Sequence, residues 1–163
     1  MNIKLILVSQ TETAYIKDAI EQYSKRLSHY VNFSIIIINS PKANAKTPIK
    51  DIKQKEGELI LKTLTKEKTQ AGGTKIVLLD ERGTQYRSTD FANFLQGQMN
   101  QSLKTLIFVV GGAYGFSQDV YQQTDSMLSL SKMTYSHQII RILLLEQIYR
   151  AFTIINNEPY HNE

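Results

Sequence analysis

The stretch that decides the fold is the last third of the chain, residues 105–161. It opens with TLIFVVGGAYGFS at positions 105–117, and continues with LSLSKMTYSHQIIRILLLEQIYRAF at 128–152 and NNEPYH at 156–161. This order predicts a buried strand and a glycine-rich turn, then a short strand, a polar loop and a long apolar helix. Open α/β sheets bind ligands in loops that follow the carboxyl ends of their strands. The segment therefore predicts a ligand site between the glycine-rich loop and the loop at 131–136.

Upstream of this segment, apolar runs of strand length alternate with patterns of helical period. The predicted strands cover residues 3–8, 33–38, 75–80, 105–110 and 127–130. Three predicted helices cover residues 16–27, 49–64 and 137–155. Another follows an N-cap at Ser88 and carries Phe91, Leu95 and Met99, and a short one begins with Ser117 and Asp119. The alternation predicts one α/β domain over residues 1–163, with a mainly parallel sheet flanked by helices.

Three local features refine this prediction. The second strand is rich in β-branched residues and apolar on both faces, which is typical of a buried parallel strand. Glu81-Arg82-Gly83 predicts a solvated turn after the third strand, and Ala71-Gly72-Gly73 predicts a helix break. The final helix is apolar nearly all round, so it must be buried on most sides. In a chain this small, that favours a subunit interface over burial within one monomer.

Composition limits the function classes. The chain has 163 residues, a formal net charge of +4 and no cysteine, which excludes disulfides and thiolate metal sites and suits a reducing, cytoplasmic location. No segment reaches the roughly 18 apolar residues of a membrane span. The first ten residues form neither a signal peptide nor a cleavage site. The basic charge permits an anionic partner such as nucleic acid.

The two loops each allow two interpretations. The loop Gly111–Gly115 lacks both the G-x-G-x-x-G spacing of dinucleotide sites and the GK[ST] ending of a P-loop, which disfavours NAD and ATP. Its glycines either admit a ligand close to the backbone or form an ordinary tight turn. Residues 131–136 offer hydroxyls and free backbone groups that can hold a neutral heterocycle and a ribose. The alternative is a plain connection with Ser136 as N-cap.

The charged and histidine residues carry weaker signals. His29, His137 and His161 have no metal-ligand spacing, so no metal is predicted. His137 and Arg141 share one face of the last helix, which by itself indicates a partly buried histidine in the first helical turn. Arg150 by itself indicates a cation near the helix C-terminus.

Taken together, the strings FVVGGAYGFS, LSLSKMTYSHQIIRILLLEQIYRAF and NNEPYH resemble bacterial 23S rRNA pseudouridine N3-methyltransferases, a minimal branch of the SPOUT class of knotted methyltransferases. Upstream, KLILVS, YSKRL, IKQKEGELIL and IVLLDERGTQYRSTDFA extend the resemblance over nearly the whole chain. It implies a deep C-terminal trefoil knot, a homodimer, and S-adenosylmethionine as methyl donor. The implied donor-binding residues are Leu79, Gly112, Ser131, Lys132, Met133, Thr134, Tyr135 and Ser136. One departure is visible, because Ser136 stands where a proline is common.

The resemblance also implies a tail beside the donor, with Arg150, Tyr160 and His161 at the matching positions. N3 of pseudouridine is an imide N–H, so methylation requires removal of a proton, and histidine suits that task near neutral pH. We therefore expect His161 to accept the proton, Tyr160 to position it, and Arg150 to stabilise the imide anion or grip a phosphate. The competing hypotheses are a non-catalytic RNA-binding or ribosome-assembly protein and a structural dimerisation domain.

Overall fold

The computed structural model describes residues 1–41, 44, 46–71 and 73–161. Within these ranges the strands are β1 (Asn2–Val8), β2 (Asn32–Ile38), β3 (Thr74–Gln85), β4 (Thr105–Val110) and β5 (Ser126–Ser129). The helices are α1 (Ala14–Leu27), α2 (Ile49–Ala71), α3 (Ser88–Asn100), α4 (Gln118–Gln122) and α5 (Ile139–Ile155).

The five strands form one parallel sheet in the order β2-β1-β4-β3-β5. Alternate side chains of each strand enter opposite cores, as the pleat requires. Leu5 and Leu7 pack with α1, α3 and α5 on one face, whereas Ile6 and Val8 pack with α2 and α4 on the other. The predicted α/β fold, a mainly parallel sheet flanked by helices, is therefore confirmed. No helix within the described ranges is long and apolar enough to cross a bilayer.

The predicted turn at 81–83 is wrong, because β3 continues through it to Gln85. The strand changes register instead: both Leu79 and Thr84 pair with Leu128 of β5, so the residues between them bulge out of the ladder. Gly83 has no side chain where a Cβ would meet the Leu128 backbone at 2.6 Å. The turn-like composition thus reflects a bulge in close contact with the neighbouring strand.

The prediction that the second strand is buried is wrong. β2 is an edge strand, most of its residues are half-buried or exposed, and the Ile37 side chain is 43% exposed. β-branched residues therefore indicate a strand here but not its position in the sheet. α2 runs past the predicted end at Leu64 to Ala71. Of the predicted break, Gly72 lies outside the described residues and Gly73 has a φ of +65°.

The beginnings of α3 and α5 differ from the prediction by one or two residues. Arg87 rather than Ser88 is the N-cap of α3, and Gln138 precedes α5, which begins at Ile139 rather than His137. The Ser136 hydroxyl still accepts the Ile139 N–H at 3.2 Å, two residues ahead of that cap. Ser117 is the N-cap of α4, as predicted.

The apolar surface of α5 is largely used within one chain. Leu144, Leu145 and Ile148 are fully buried against the core that α1 and α3 share. Ile142 and Leu143 remain half-buried, and Leu143 packs against neither core. The buried face of α5 is therefore covered by two neighbouring helices of the same chain. A subunit interface, which the sequence favoured, can involve only the remaining face of α5.

Candidate active site

A cleft of about 1130 Å³ lies at the carboxyl ends of β4 and β5 and beside the bulge of β3, the strand between them. Val110 and Ser129 end their strands in its wall, and Leu79 is the last β3 residue that pairs with β4. Because β3 lies between β4 and β5 in the sheet, the connection from β3 to β4 and the connection from β4 to β5 run in opposite directions. Ligands of open α/β sheets bind where the direction of the connections changes. The cleft is large enough for a nucleoside-sized molecule.

Seven of the eight predicted donor-binding residues line this cleft. They are Leu79, Gly112, Ser131, Met133, Thr134, Tyr135 and Ser136. Lys132 belongs to the same loop but does not line the cleft. Three separate segments therefore meet at one place, as the sequence prediction requires.

Hydroxyl groups hold the shape of the loop at 131–136. The Ser129 hydroxyl donates to the Ser131 carbonyl at 2.9 Å, and the Ser131 hydroxyl accepts the Met133 N–H at 2.9 Å. Met133 is 74% exposed and Tyr135 is 40% exposed at the rim. The serines thus shape the loop, while exposed side chains flank the cleft.

The glycine-rich loop is close-packed on the side away from the cleft. A Cβ on Gly112 would lie 2.6 Å from Oε2 of Glu56, whose side chain comes from α2. Glu56 is only 5% exposed. A side chain at position 112 would have to displace the buried Glu56 carboxylate, and Gly115 is glycine in a left-handed conformation with φ +76°. Sequence reasoning ascribed these glycines to a close-lying ligand or to a tight turn and missed Glu56, because no local pattern links Glu56 to a loop far along the chain.

A network of Asp80, Arg82 and Tyr121 forms another wall of the cleft. Arg82 donates to both Asp80 oxygens at 2.9 and 3.2 Å, and the Tyr121 hydroxyl donates to Oδ2 at 2.5 Å. Burial by itself would raise the pKa of Asp80, but these hydrogen bonds outweigh it and lower the pKa to about 2. Burial and the Asp80 contact raise the pKa of Tyr121 to about 12. Asp80 is thus a fixed anion, next to the segment for which the sequence predicted a solvated turn.

The three predicted catalytic residues are brought together at the far end of α5. Arg150 donates to Glu146 Oε1 at 2.9 and 2.6 Å, and its guanidinium lies 4.8 Å from the centre of the Tyr160 ring. The Tyr160 hydroxyl lies 3.3 Å from the same Glu146 oxygen, and His161 Nδ1 lies 3.4 Å from Arg150 Nη1. The Glu146–Arg150 pair has the i, i+4 spacing of a helical ion pair, a signal that could have identified Glu146.

The electrostatics of this cluster separate its chemical roles. The hydrogen bond to Glu146 raises the pKa of Arg150, which therefore remains a cation. Burial and the neighbouring Tyr23 raise the pKa of Tyr160 to about 12, so its phenol is protonated at neutral pH. A guanidinium can only donate, so His161 faces it with the lone pair of Nδ1. Among the three side chains, the imidazole of His161 is the one that presents a nitrogen lone pair.

The tail is locally ordered by a turn at the end of α5. Asn157 has φ +55°, and the Glu158 N–H donates to the Thr153 carbonyl at 2.9 Å, which is the pattern of a helix C-terminal cap. The Tyr30 hydroxyl of the α1–β2 connection donates to Glu158 at 2.6 Å. These contacts hold Tyr160 against the Tyr149 ring, 4.9 Å between centroids.

The tail cluster does not line the cleft of its own chain. α5 lines the cleft with Ile140 near its beginning, and Arg150 follows ten residues later, about 15 Å along the helix axis. The expectation that the tail lies beside the donor site is therefore not met within one chain. The apolar helix that joins the two places sets their separation.

Arg141 and His137 differ from their predicted setting. His137 precedes α5 and lines the cleft, whereas Arg141 is 0% exposed and points into the core. Arg141 donates to the Thr11 hydroxyl and to the Val8 carbonyl, both at 2.7 Å, and burial lowers its pKa. It fixes the end of β1, which sequence reasoning missed. Within the described part of the chain, no group of three metal-binding side chains occurs.

Comparison with known proteins agrees with this architecture. The profile of the family described as "Predicted SPOUT methyltransferase" matches residues 1–161. A protein named "Ribosomal RNA large subunit methyltransferase H" from Parabacteroides distasonis is 47% identical over 163 residues, which is 100% of both chains. Proteins of the same name from Flavobacterium psychrophilum and Christiangramia forsetii are 45% and 46% identical, over 100% and 99% of both chains.

A solved structure of a probable methylase family protein from Haemophilus influenzae Rd KW20 has a TM-score of 0.60 to this chain. The match covers 99% of this chain and 71% of that one at 13% identity, so it bears on the fold alone. The full-length family match and the high identity to the curated relatives carry the assignment: the chain belongs to the SPOUT methyltransferase family.

Proposed function

We propose that this protein transfers a methyl group from S-adenosylmethionine to N3 of a pseudouridine in large-subunit (23S) rRNA. The observation that carries the proposal is the cleft at the ends of β4 and β5 and beside the β3 bulge, walled by the glycine-rich loop and the loop at 131–136. The names of the full-length relatives supply the class of substrate. Family membership also leads us to infer the trefoil knot, and the ribosomal substrate leads us to infer a cytoplasmic location.

The cleft has the chemistry that the donor requires. Apolar side chains such as Leu79, Val110 and Ile140 can cover an adenine ring, and the loop at 131–136 offers peptide groups for its edge. Behind the glycine-rich loop, one oxygen of the buried Glu56 carboxylate has no partner among the described residues, which suits a positively charged ligand. When bound, the donor supplies a methyl group on a positively charged sulfur and leaves as a neutral thioether.

The rim of the cleft suits a polyanionic substrate. Lys50 and Lys53 of α2 lie on one side of the opening, and Arg82 lies on another. Tyr114 and Tyr135 are exposed at the rim, 48% and 40% respectively. Cations contact phosphates and exposed aromatic rings stack on unpaired bases in RNA recognition. The rim therefore favours single-stranded or splayed RNA over a small acceptor molecule.

A homodimer would join the two halves of the site. If α5 packs against α5 of a second copy in an antiparallel, twofold arrangement, the tail of one chain approaches the cleft of the other. Leu143 supports this arrangement, because it is half-buried and packs against neither core of its own chain. Closed twofold dimers are the commonest oligomers.

Within such a site each tail residue has a distinct task. His161 accepts the N3 proton on its imidazole ring as the new N–C bond forms. Arg150 donates hydrogen bonds to the developing imide anion or to a phosphate. Tyr160, protonated and packed on Tyr149, fixes the position of the histidine.

The test incubates the purified protein with isotopically labelled donor and ribosomes that lack the modification, followed by nucleoside mass spectrometry. We expect label on N3 of one pseudouridine. Calorimetry with the donor alone provides the separate test against a non-catalytic RNA-binding protein. Heat of binding supports an enzyme, whereas RNA binding without donor binding or label transfer would contradict the proposal.

A further inference from the structure

The Glu56 carboxylate is the feature of the cleft region that the proposed mechanism leaves unused. It is 5% exposed, and the Ser40 hydroxyl donates to Oε1 at 2.5 Å. Oε2 has no hydrogen-bond partner in the described part of the chain. A buried polar atom without a partner is costly, and in a native protein it requires an explanation.

The packing of α2 holds this carboxylate against the glycine-rich loop. Gly57, next to Glu56, packs so closely on α4's N-cap that a Cβ there would lie 2.2 Å from the Ser117 hydroxyl oxygen. Gly112 in turn leaves room for Oε2 of Glu56, because a Cβ on Gly112 would lie only 2.6 Å from that oxygen. The contacts on either side therefore fix the carboxylate directly behind the Gly112 backbone.

Gly112 itself lines the cleft, whereas Glu56 does not. The carboxylate thus lies behind the cleft wall, within the low-dielectric interior, where a charge acts over several ångströms with little screening. It does not line the cleft, but in its ionised form it places a negative potential on that side of the cleft. Such a potential favours a positively charged ligand over a neutral one of the same shape.

We propose that Glu56 is an electrostatic positioning residue that favours the sulfonium form of the donor over its neutral thioether product. The inference rests on the proposed function, because it assumes S-adenosylmethionine as the donor. The two compounds differ by one methyl group and one positive charge at sulfur. A residue that acts through charge must therefore affect their binding unequally, whereas one that only supports the loop affects both alike.

The experiment measures dissociation constants of S-adenosylmethionine and S-adenosylhomocysteine by calorimetry for wild type, Glu56→Gln and Glu58→Gln. Glu56→Gln removes the charge with little change of shape and can still accept the Ser40 hydrogen bond. We expect the dissociation constant for the donor to rise about tenfold, equivalent to about 1.4 kcal/mol. That for the product should change less than about twofold, within 0.4 kcal/mol.

Glu58→Gln is the matched control, because Glu58 lies on the same helix but is exposed, and we expect it to change neither constant. Glu56→Asp, which keeps the charge, should retain most of the discrimination and replaces Glu56→Gln as the test if that variant does not fold. Equal changes for both compounds, or no change for either, would overturn the role of Glu56. If wild type binds neither compound, the proposed donor itself is wrong and this inference fails with it.

Discussion

Asp80 links the cleft wall to the pH dependence of stability. Its folded pKa of about 2 lies below its ordinary value of 3.8, so the ionised form stabilises the fold. That contribution is present above about pH 4 and is lost as the pH falls toward 2. Arg82 is 62% exposed, and solvent screening limits the contribution to about 1 kcal/mol. Asp80→Asn should therefore lower the unfolding free energy at pH 7 and flatten its decline below pH 4.

Urea denaturation at pH 7 and at pH 3 measures this effect. Asp18→Asn, at an exposed position on α1, provides the control for removal of one carboxylate. If Asp80→Asn and Asp18→Asn lose the same stability at both pH values, the Asp80 network does not stabilise the fold.

His161 carries the prediction that separates chemistry from binding. His161→Ala should leave donor affinity intact and lower the single-turnover methylation rate by roughly 10²–10⁴-fold, the usual range for general base catalysis. The defect should shrink as pH rises, because the imide then loses its proton to solvent. Tyr160→Phe should cost less, since a phenol with a pKa of about 12 is not the base. A wild-type rate at saturating RNA would rule out His161 as the proton acceptor and leave Arg150 as the better candidate for activating N3.

Among elements, the β3 bulge connects β5 with the cleft, because Arg82 lines the cleft and the next residue, Gly83, packs on the β5 backbone. Gly83→Ala would bring a methyl group within 2.6 Å of the Leu128 backbone, which cannot move without disturbing β5. We expect a loss of roughly 1–3 kcal/mol of stability, as for other overpacked sites, together with weaker donor binding. Gly97→Ala is the control: it has open space and lies in α3, so it should stabilise by about 0.5–1 kcal/mol. Thermal melts and calorimetry measure the stability and donor affinity of both variants. Unchanged donor affinity in Gly83→Ala would show that the bulge does not shape the donor site.

The turn that ends α5 offers a test of tail geometry. Asn157→Val places a β-branched residue at φ +55°, a conformation that costs L-residues roughly 1–2 kcal/mol. The tail should leave its position, and methylation should slow while donor binding is kept. Asn157→Gly tolerates the same φ and should retain activity. Equal rates for the valine and glycine variants would show that the turn does not position His161.

The limits of sequence reasoning follow from where its signals lie. Apolar patterns together with helix-start residues identified the strands and helices of the described residues, and loops after strand ends led to the cleft. Edge position for β2 and the bulge in β3 depend on which strands pair, which periodicity does not encode. Arg141 and Glu56 owe their roles to neighbours distant in sequence. The tail residues were found as a set by resemblance, but a single chain does not bring them to the donor cleft.

For the whole molecule, the main prediction is a homodimer. Light scattering at micromolar concentration should report twice the 18.7 kDa chain mass. Leu143→Lys should shift the mass toward the monomer and reduce methylation, because a charge on the α5 face opposes apolar packing. Ile37→Lys, which alters an exposed apolar residue on the sheet edge, should remain dimeric. A monomeric wild-type protein with full activity would contradict both the dimer and the shared site.

The order of the strands in the sheet also determines when each strand can pair during synthesis on the ribosome. Asn2 begins the chain's first strand, yet one of its two neighbours is Thr105 of β4. During synthesis at roughly 5–20 residues per second, β1 therefore waits several seconds with one edge unpaired. Exposed strand edges favour intermolecular pairing. We therefore expect a nascent chain to expose this additional strand edge until β4 emerges, and a pause in translation within α3 would prolong that exposure.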